Sequence, residues 1–171
     1  AIAKKAEEYL KSTAIADTAY FGPEAEFFIF DSVSYDTTAN ESYYRVDSVE
    51  GIWNRGRRAE DDGCPNTGYK IRHKEGYFPV APADKLIDIR NEMILTMQSL
   101  GIKIEREHHE VATAGQAEID IVFDTLLNTA DKITLYKYIC KNVAYKYALM
   151  ILLRQDNMPA RMAGAMHDFQ S

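Results

Sequence analysis

Four glutamates of this sequence are spaced so that their carboxylates could act together. Glu24 and Glu26 stand two residues apart at the head of the run 22-GPEAEFFIF-30. In an extended strand, residues two apart point to the same face, which here continues as Phe28 and Phe30. Two like charges at the head of an apolar stripe indicate either that the strand leaves the core there or that a cation binds between them.

The other two glutamates belong to a predicted hairpin around the small-residue turn 112-ATAG-115. If this turn centres on Ala114, Glu110 and Glu118 lie directly opposite each other, and like charges in that position destabilise a sheet. A shared divalent cation would remove the repulsion, and clusters of carboxylate oxygens suit hard ions such as Mg²⁺ and Mn²⁺. Solvent-facing glutamates, which are common in strands, are the alternative interpretation.

Two histidines and a stiffened loop lie near these glutamates in sequence. His108 and His109 precede Glu110, and each is more typical of a surface or hydrogen-bonded histidine than of a metal ligand. In the loop 74-KEGYFPVAP-82, one glycine and two prolines restrict the backbone around Tyr77. We interpret Tyr77 either as a residue held for a site or as a cap on the core.

The elements that must position these residues follow from the apolar spacing. The 84–100 segment repeats apolar residues at helical intervals and is followed by Gly101, which is typical of a helix end. The full order is helix, strands, loop, helix, hairpin and helix, and it predicts an α+β fold with an antiparallel sheet. The predicted ranges are helix 3–12, strands 17–21, 24–32 and 43–48, turn-like 33–42, irregular 50–76, helix 84–100, strands 102–111 and 116–124, and helix 129–150 capped by Asn128 or Thr129.

The composition excludes several classes of protein. A net charge of -6 without a basic cluster argues against nucleic-acid binding. The two cysteines, Cys64 and Cys140, form no CxxC pair, which suits a reducing compartment and indicates a cytoplasmic protein. The apolar run 148-ALMILL-153 is too short to span a bilayer. Because the sequence does not start with Met, we expect it to be a piece of a longer chain.

Taken together, several segments resemble the bacterial type I glutamine synthetases. They occur in the family's order and spacing, and they cover nearly all of residues 17–147. The resemblance implies the family's α+β catalytic domain, which is guanido-kinase-like, with helices flanking an antiparallel sheet. The matching segments are 22-GPEAEFFIF-30, 48-SVEGIWNRGR-57, 74-KEGYFPVAPADKLIDIR-90, 107-EHHEVATAGQAEID-120 and 130-ADKITLYKYICKNVA-144.

The resemblance also implies two divalent ions, Mg²⁺ or Mn²⁺, and assigns their ligands. Glu24 and His167 match ligands of the ion that lies beside the phosphates of ATP. Glu26, Glu110 and Glu118 match ligands of the ion that lies beside the glutamate substrate. On this assignment, the two carboxylates at the head of the apolar stripe belong to two neighbouring ions.

Four positions match residues that contact the other substrates. Tyr77 matches a tyrosine of the ammonium site, to which Glu110 also contributes. Glu105 and Phe123 match nucleotide contacts, with Phe123 beside the adenine ring. Strand alternation puts Glu105 and Glu110 on opposite faces, so their use in one site requires either a β-bulge within residues 105–109 or a contact from the far side of the strand. The implied reaction uses ATP to phosphorylate glutamate, and ammonia then attacks the γ-glutamyl phosphate.

The tail of the sequence departs from the family pattern. In residues 148–171, Met162 and Ala163 occupy the positions of an Asn-Gly pair that holds substrate glutamate in the family. Phe169 replaces a histidine that contacts the nucleotide, whereas His167 keeps the pattern. Binding of glutamate by this stretch is therefore not expected.

Residues 1–171 correspond to part of the family's catalytic domain, without its N-terminal β-grasp domain and C-terminal part. The family assembles as a dodecamer of two hexameric rings with active sites between subunits, so we expect an isolated piece not to turn over. A γ-glutamyl-amine ligase of the same superfamily and a non-catalytic or decayed fragment are the alternative interpretations. Regulation by adenylylation cannot be addressed, because the region that carries that tyrosine lies outside this sequence.

Overall fold

The computed structural model describes residues 2–54 and 68–153. Three helices and eight strands make up the described part, and their order confirms the predicted α+β fold. The helices are α1 (Ile2–Ser12), α2 (Ile87–Ser99) and α3 (Leu126–Lys146). The strands are β1 (Tyr20–Phe21), β2 (Glu26–Phe30), β3 (Ser32–Thr37), β4 (Ser42–Asp47), β5 (Ile104–His109), β6 (Gln116–Ile121), β7 (Asp124–Thr125) and β8 (Met150–Leu153).

A four-stranded antiparallel sheet forms the centre of the fold, in the order β5-β6-β2-β8. Because side chains alternate along a strand, β2 contributes to both faces. Phe27 and Ile29 pack into the main core, whereas Phe28 and Phe30 belong to a second apolar cluster. Two-stranded ladders, β1-β7 and β3-β4, lie outside this sheet.

Helices α2 and α3 supply the other side of the main core. On α2, Met93 and Met97 are fully buried one turn apart, as the apolar spacing of this segment predicts. Gly101 follows the helix with a φ of +86°, and its N–H donates to the carbonyl of Gln98. This left-handed residue confirms the predicted helix end. Within residues 2–54 and 68–153, no helix combines the length and apolar character that crossing a membrane requires.

A buried ion network attaches α2 to strand β5. The guanidinium of Arg90 is about 1% exposed and binds both carboxylate oxygens of Asp84, with Nη1 3.0 Å from Oδ1. Its Nε also donates to the carboxylate of Glu107 on β5. Burial alone would lower the pKa of Arg90, but these two carboxylates raise it overall. The three charges therefore stabilise one another in the ionised state.

Two predicted boundaries are wrong: one falls in the exposed β3-β4 ladder, and the other is at helix α3, whose ends are set by tertiary contacts. Residues 33–42, predicted as turn-like, contain β3 and the start of β4; only the short connection between the strands is a turn, with Thr38 N–H bonded to the carbonyl of Glu41. Strand β3 is largely exposed and lacks the apolar alternation that would indicate a strand, whereas β4 confirms the strand predicted over 43–48.

Helix α3 begins and ends earlier than predicted. Its N-cap is Thr125, not Asn128 or Thr129, because residues 124–125 already form strand β7 against β1. The helix ends at Lys146, and Ala148 then turns the backbone with a φ of +56°. Residues 150–153, which contain the end of the predicted helix, instead form β8 beside β2.

The predicted register of the hairpin is also wrong. Strand β5 pairs with β6 so that His108, not Glu110, lies opposite Glu118. Glu110 instead donates its N–H to the carbonyl of Gln116, which centres the turn near Thr113. Contact with β2 sets this register: Ile29 N–H bonds to the carbonyl of Gly115, and a Cβ at Gly115 would lie 2.3 Å from the Ile29 carbonyl oxygen.

Candidate functional site

Three polar side chains converge on the face of the sheet that carries Phe28 and Phe30. His108, Glu110 and Glu118 each offer a ligand atom, and these atoms lie within 4.8 Å of one another. Each of the three residues is buried. We call this group the carboxylate cluster. The register places it on the same face as the second apolar cluster, away from the helices.

Glu26 extends this cluster from the neighbouring strand. It begins β2 directly opposite Glu118 on β6, so the cross-strand pair of like charges is Glu26–Glu118 instead of the predicted Glu110–Glu118. The amide of Gln116 donates to Glu26 Oε2 at 3.2 Å. Gln116 also accepts the N–H of Ala112 at its Oε1, so one side chain connects β2 to the hairpin turn.

The cluster carries more negative than positive charge. Within the described residues, no lysine or arginine lies within 4 Å of the carboxylates of Glu110 or Glu118; the basic neighbour of both is His108. Burial, together with the nearby carboxylates of Asp120 and Glu110, raises the pKa of Glu118 to about 8. The crowding that the sequence predicts is therefore present, although its pairs differ.

These residues fit a divalent cation. Carboxylate oxygens with one imidazole nitrogen are ligands that Mg²⁺ or Mn²⁺ accepts, and a cation would offset the repulsion between the glutamates. Asp120 lies two residues beyond Glu118 on the same face, and its buried Oδ1 has no hydrogen-bond partner within the described part of the chain. The other oxygen of Asp120 pairs with Arg106, whose Nε is 2.9 Å from Oδ2.

Aromatic side chains cover the histidine of the cluster. The ring of Phe78 stacks on His108 with a centroid distance of 4.3 Å, and the edge of Tyr77 approaches the same ring at 5.6 Å. Tyr77 remains 61% exposed. The backbone of Phe78 has a φ of +52°, which is unfavourable for a residue with a side chain. The loop therefore holds both rings at the cluster in a strained conformation.

The remaining predicted site residues lie around the cluster or outside the described part. Glu24 is exposed and precedes the first residue of β2. Glu105 is exposed beside Arg106, at a shift in register between Ile104 and Arg106 that confirms the predicted bulge. Phe123 is 64% exposed and lies between β6 and β7. His167 lies outside the described residues.

Sequence reasoning undervalued His108 and missed two other residues. His108 is two residues from Glu110, so strand alternation alone places both on one face, and that signal was available. Asp120 follows Glu118 by the same interval. Glu50, which is fully buried and bonds to His109, is separated from it by 59 residues, so no local pattern indicates their contact.

Known proteins resemble this chain over most of its length. A family model described as "Glutamine synthetase, catalytic domain" matches residues 1–171. The Aquifex aeolicus glutamine synthetase is 56% identical over 97% of this chain, and the Mycobacterium tuberculosis glutamine synthetase is 52% identical over 99%. A cryo-EM structure of Plasmodium falciparum glutamine synthetase superposes with a TM-score of 0.78 at 30% identity, covering 88% of this chain and 29% of that one.

The chain spans about a third of these relatives, 34% of the Aquifex aeolicus protein and 36% of the Mycobacterium tuberculosis protein. The match nevertheless includes all the elements that form the carboxylate cluster, since the family model extends over every residue of the sequence. The chain therefore belongs to the glutamine synthetase catalytic-domain family.

Proposed function

We propose that this chain is a catalytic segment of a glutamate–ammonia ligase, which uses ATP to join ammonia to glutamate. The observation that carries the proposal is the convergence of His108, Glu110 and Glu118 within 4.8 Å, with Glu26 opposite Glu118 and an excess of negative charge. Relatives named glutamine synthetase at 52–56% identity support the same reaction. We also propose a cytoplasmic location.

The cluster would hold a divalent cation beside the glutamate substrate. Glu26, Glu110 and Glu118 are the proposed ligands, and His108 lies close enough to Glu110 and Glu118 to contribute a nitrogen. Glu24 and His167 are the proposed ligands of a second cation beside the ATP phosphates. Bound divalent ions neutralise the charge that develops during phosphoryl transfer and align the reacting groups.

The chain's own side chains would prepare ammonium for attack on the γ-glutamyl phosphate. Tyr77 lies at the exposed edge of the cluster, where its ring contacts His108. The Glu110 carboxylate favours a bound ammonium cation over neutral ammonia and can accept the proton that ammonium must lose before it attacks. The aromatic rings of Tyr77 and Phe78 limit access of water from this side.

The nucleotide contacts are proposed at the outer rim of the same region. Glu105 and Phe123 are both exposed and absent from the main core. Glu105 lies near the start of β5 and Phe123 just beyond the end of β6, which antiparallel pairing places at the same end of the two strands. Phe123 offers a ring face for adenine. The complete enzyme is proposed to be a dodecamer of two hexameric rings, in which neighbouring subunits complete each site.

Titration calorimetry of the 171-residue chain with Mn²⁺ tests the metal site. We expect binding by the native sequence and at least a tenfold loss of affinity in Glu26→Ala and in Glu118→Ala. Glu41→Ala removes an exposed glutamate from the β3-β4 turn and should leave the affinity unchanged. Unchanged binding in both cluster variants would contradict the assignment.

Activity requires the rest of the enzyme, so it is measured in a full-length chimera that carries this segment in the Aquifex aeolicus relative. Glutamine formation with release of ADP and phosphate is the expected result, and Glu118→Ala should abolish it. A chimera that consumes ATP with primary amines but not with ammonium would instead identify a γ-glutamyl-amine ligase. A chimera that binds Mn²⁺ but transfers nothing to any amine would support a non-catalytic segment.

A further inference from the structure

We propose that Glu50 and His109 form a buried positioning pair, which holds the metal-binding hairpin and the loop of Tyr77 in one fixed arrangement. The inference rests on the proposed function for its catalytic meaning. Its structural part stands on contacts among four separate segments of the chain. Neither residue is a ligand in the proposed metal site.

The carboxylate of Glu50 bonds to three segments while fully buried. Its Oε1 accepts the N–H of Lys85 at 2.7 Å, just before helix α2. Its Oε2 accepts the N–H of Gly115 at 2.9 Å, in the hairpin turn, and lies 3.0 Å from His109 Nε2. A buried carboxylate is expensive unless it is fully hydrogen-bonded, and here both oxygens have partners.

The ring of His109 continues this connection toward Tyr77. Its Nδ1 lies 2.7 Å from the carbonyl oxygen of Gly76 and 2.8 Å from that of Glu110. Both carbonyls are acceptors, so Nδ1 must carry a proton and donate it. The imidazole therefore ties the residue before Tyr77 to the backbone of Glu110, whose carboxylate belongs to the cluster.

Backbone bonds extend the same attachment along the loop. The N–H groups of Lys74, Gly76 and Phe78 donate to the carbonyls of Ala112, Val111 and His109 respectively. We call residues 74–78 the tyrosine loop. Gly76 is required at the closest approach, because a Cβ there would lie 2.5 Å from the Glu110 carbonyl oxygen and 2.9 Å from the His109 ring. A displacement of His109 would therefore move Tyr77 and Glu110 together.

A purely structural pair would stabilise the fold without affecting metal binding. The distinguishing feature is that the pair bonds directly to the backbone that carries the Glu110 carboxylate. His109 bonds to the carbonyl oxygen of Glu110, and Glu50 bonds to the N–H of Gly115 in the turn that follows. Groups that orient ligands in this way typically change metal affinity by about 10- to 100-fold when removed. Glu107 provides a matched control, because it is a largely buried glutamate of the same hairpin whose carboxylate, within residues 2–54 and 68–153, bonds to Arg90 on the helix side.

The test compares Glu50→Gln with Glu107→Gln in the 171-residue chain, by hydrogen exchange and by Mn²⁺ titration. Glutamine keeps the shape of glutamate but places a donor either against the N–H of Lys85 or against both the N–H of Gly115 and His109 Nε2. We expect exchange in the tyrosine loop and in residues 108–116 to accelerate at least tenfold in Glu50→Gln only. Mn²⁺ affinity should fall about tenfold in Glu50→Gln and change less than about twofold in Glu107→Gln.

Two substitutions of His109 separate the halves of the pair and apply if Glu50→Gln fails to fold. Asparagine can retain the bonds of Nδ1, whereas glutamine can retain the bond of Nε2. We expect His109→Asn to protect the tyrosine loop better than His109→Gln does. Equal exchange in these two variants, or equal effects of Glu50→Gln and Glu107→Gln, would overturn the proposal.

The two readouts also separate this inference from the proposed function. If the native chain binds no Mn²⁺ while Glu50→Gln still loosens both segments, the positioning pair stands and the proposed metal site fails. If the native chain binds Mn²⁺ and Glu50→Gln leaves both the affinity and the exchange unchanged, the metal site stands and the positioning pair fails.

Discussion

Two buried groups of carboxylates lie on opposite sides of the same hairpin, and they differ in how their charge is balanced. On the helix side, Asp84 and Glu107 share the guanidinium of Arg90. On the other side, Glu110 and Glu118 have no lysine or arginine within 4 Å among the described residues. Burial is similar, so desolvation does not distinguish the two groups.

The difference distinguishes a group that stabilises the fold from a group that is proposed to bind a metal ion. A buried carboxylate that brings its own cation completes its electrostatics within the fold, and its role is to join elements. Among the described residues, the carboxylate cluster has no such cation, and this difference is what supports the proposed metal site. The raised pKa of Glu118 reflects burial together with the same excess of negative charge.

The largest expected effect comes from breaking the balanced group. Arg90→Met removes the cation and leaves Asp84 and Glu107 buried beside an apolar chain. We expect the free energy of unfolding to fall by about 3–5 kcal/mol, measured by urea denaturation. A loss below 1 kcal/mol would show that the network contributes little and that the comparison fails on this side.

A smaller effect of opposite sign is expected in the unbalanced group. Glu118→Gln replaces a carboxyl group, which burial and nearby carboxylates make costly to ionise, by a neutral amide of almost the same size. We expect the free energy of unfolding without metal to rise by up to about 1 kcal/mol, because the native protein no longer has to protonate this group or hold it charged opposite Glu26. Urea denaturation with and without Mn²⁺ gives the contrast: Mn²⁺ should stabilise the native chain and not this variant. Destabilisation without metal would contradict the comparison.

The smallest effect concerns a half-buried carboxylate whose charge is also balanced by a lysine. Asp124, just before α3, bonds to Lys132 and to the N–H of Thr125, and these contacts lower its pKa to about 2. A lowered pKa adds stability above the ordinary value of 3.8, and this stability is lost as the pH falls toward 2. Asp124→Asn should therefore be slightly less stable than the native chain at pH 7. The difference in thermal midpoint should vanish near pH 2, and a difference that persists there would have another cause.

Local patterns predicted the elements whose burial is continuous. Helix α2 shows apolar residues at helical spacing with Gly101 behind it, and β2 continues after Glu26 as an apolar run that is buried on both faces; both lie within the predicted ranges. Strand β4 confirms the strand predicted over 43–48, whereas its partner β3 was missed because it is exposed, as at Tyr35, and leaves no apolar alternation to detect.

The site was predictable in content but not in geometry. Carboxylate crowding follows from the spacing of the glutamates, yet its pairs depend on the register of the hairpin. That register depends on a contact between Gly115 and Ile29, which are distant in sequence. The Glu50–His109 bond likewise depends on tertiary folding, since no periodic signal joins residues so far apart. The metal assignments of Glu24, Glu26, Glu110, Glu118 and His167 remain predictions.

Strand β8 has a direction that matters for everything that follows it in the chain. It runs antiparallel to β2, so its last residue, Leu153, pairs with Phe27, next to Glu26, while Met150 pairs with Phe30. A parallel β8 would have left the chain at the apolar end of the strand, about 10 Å away at 3.3 Å per residue. The orientation of this strand therefore brings Leu153, the last described residue of the chain, next to the end of β2 that carries Glu26.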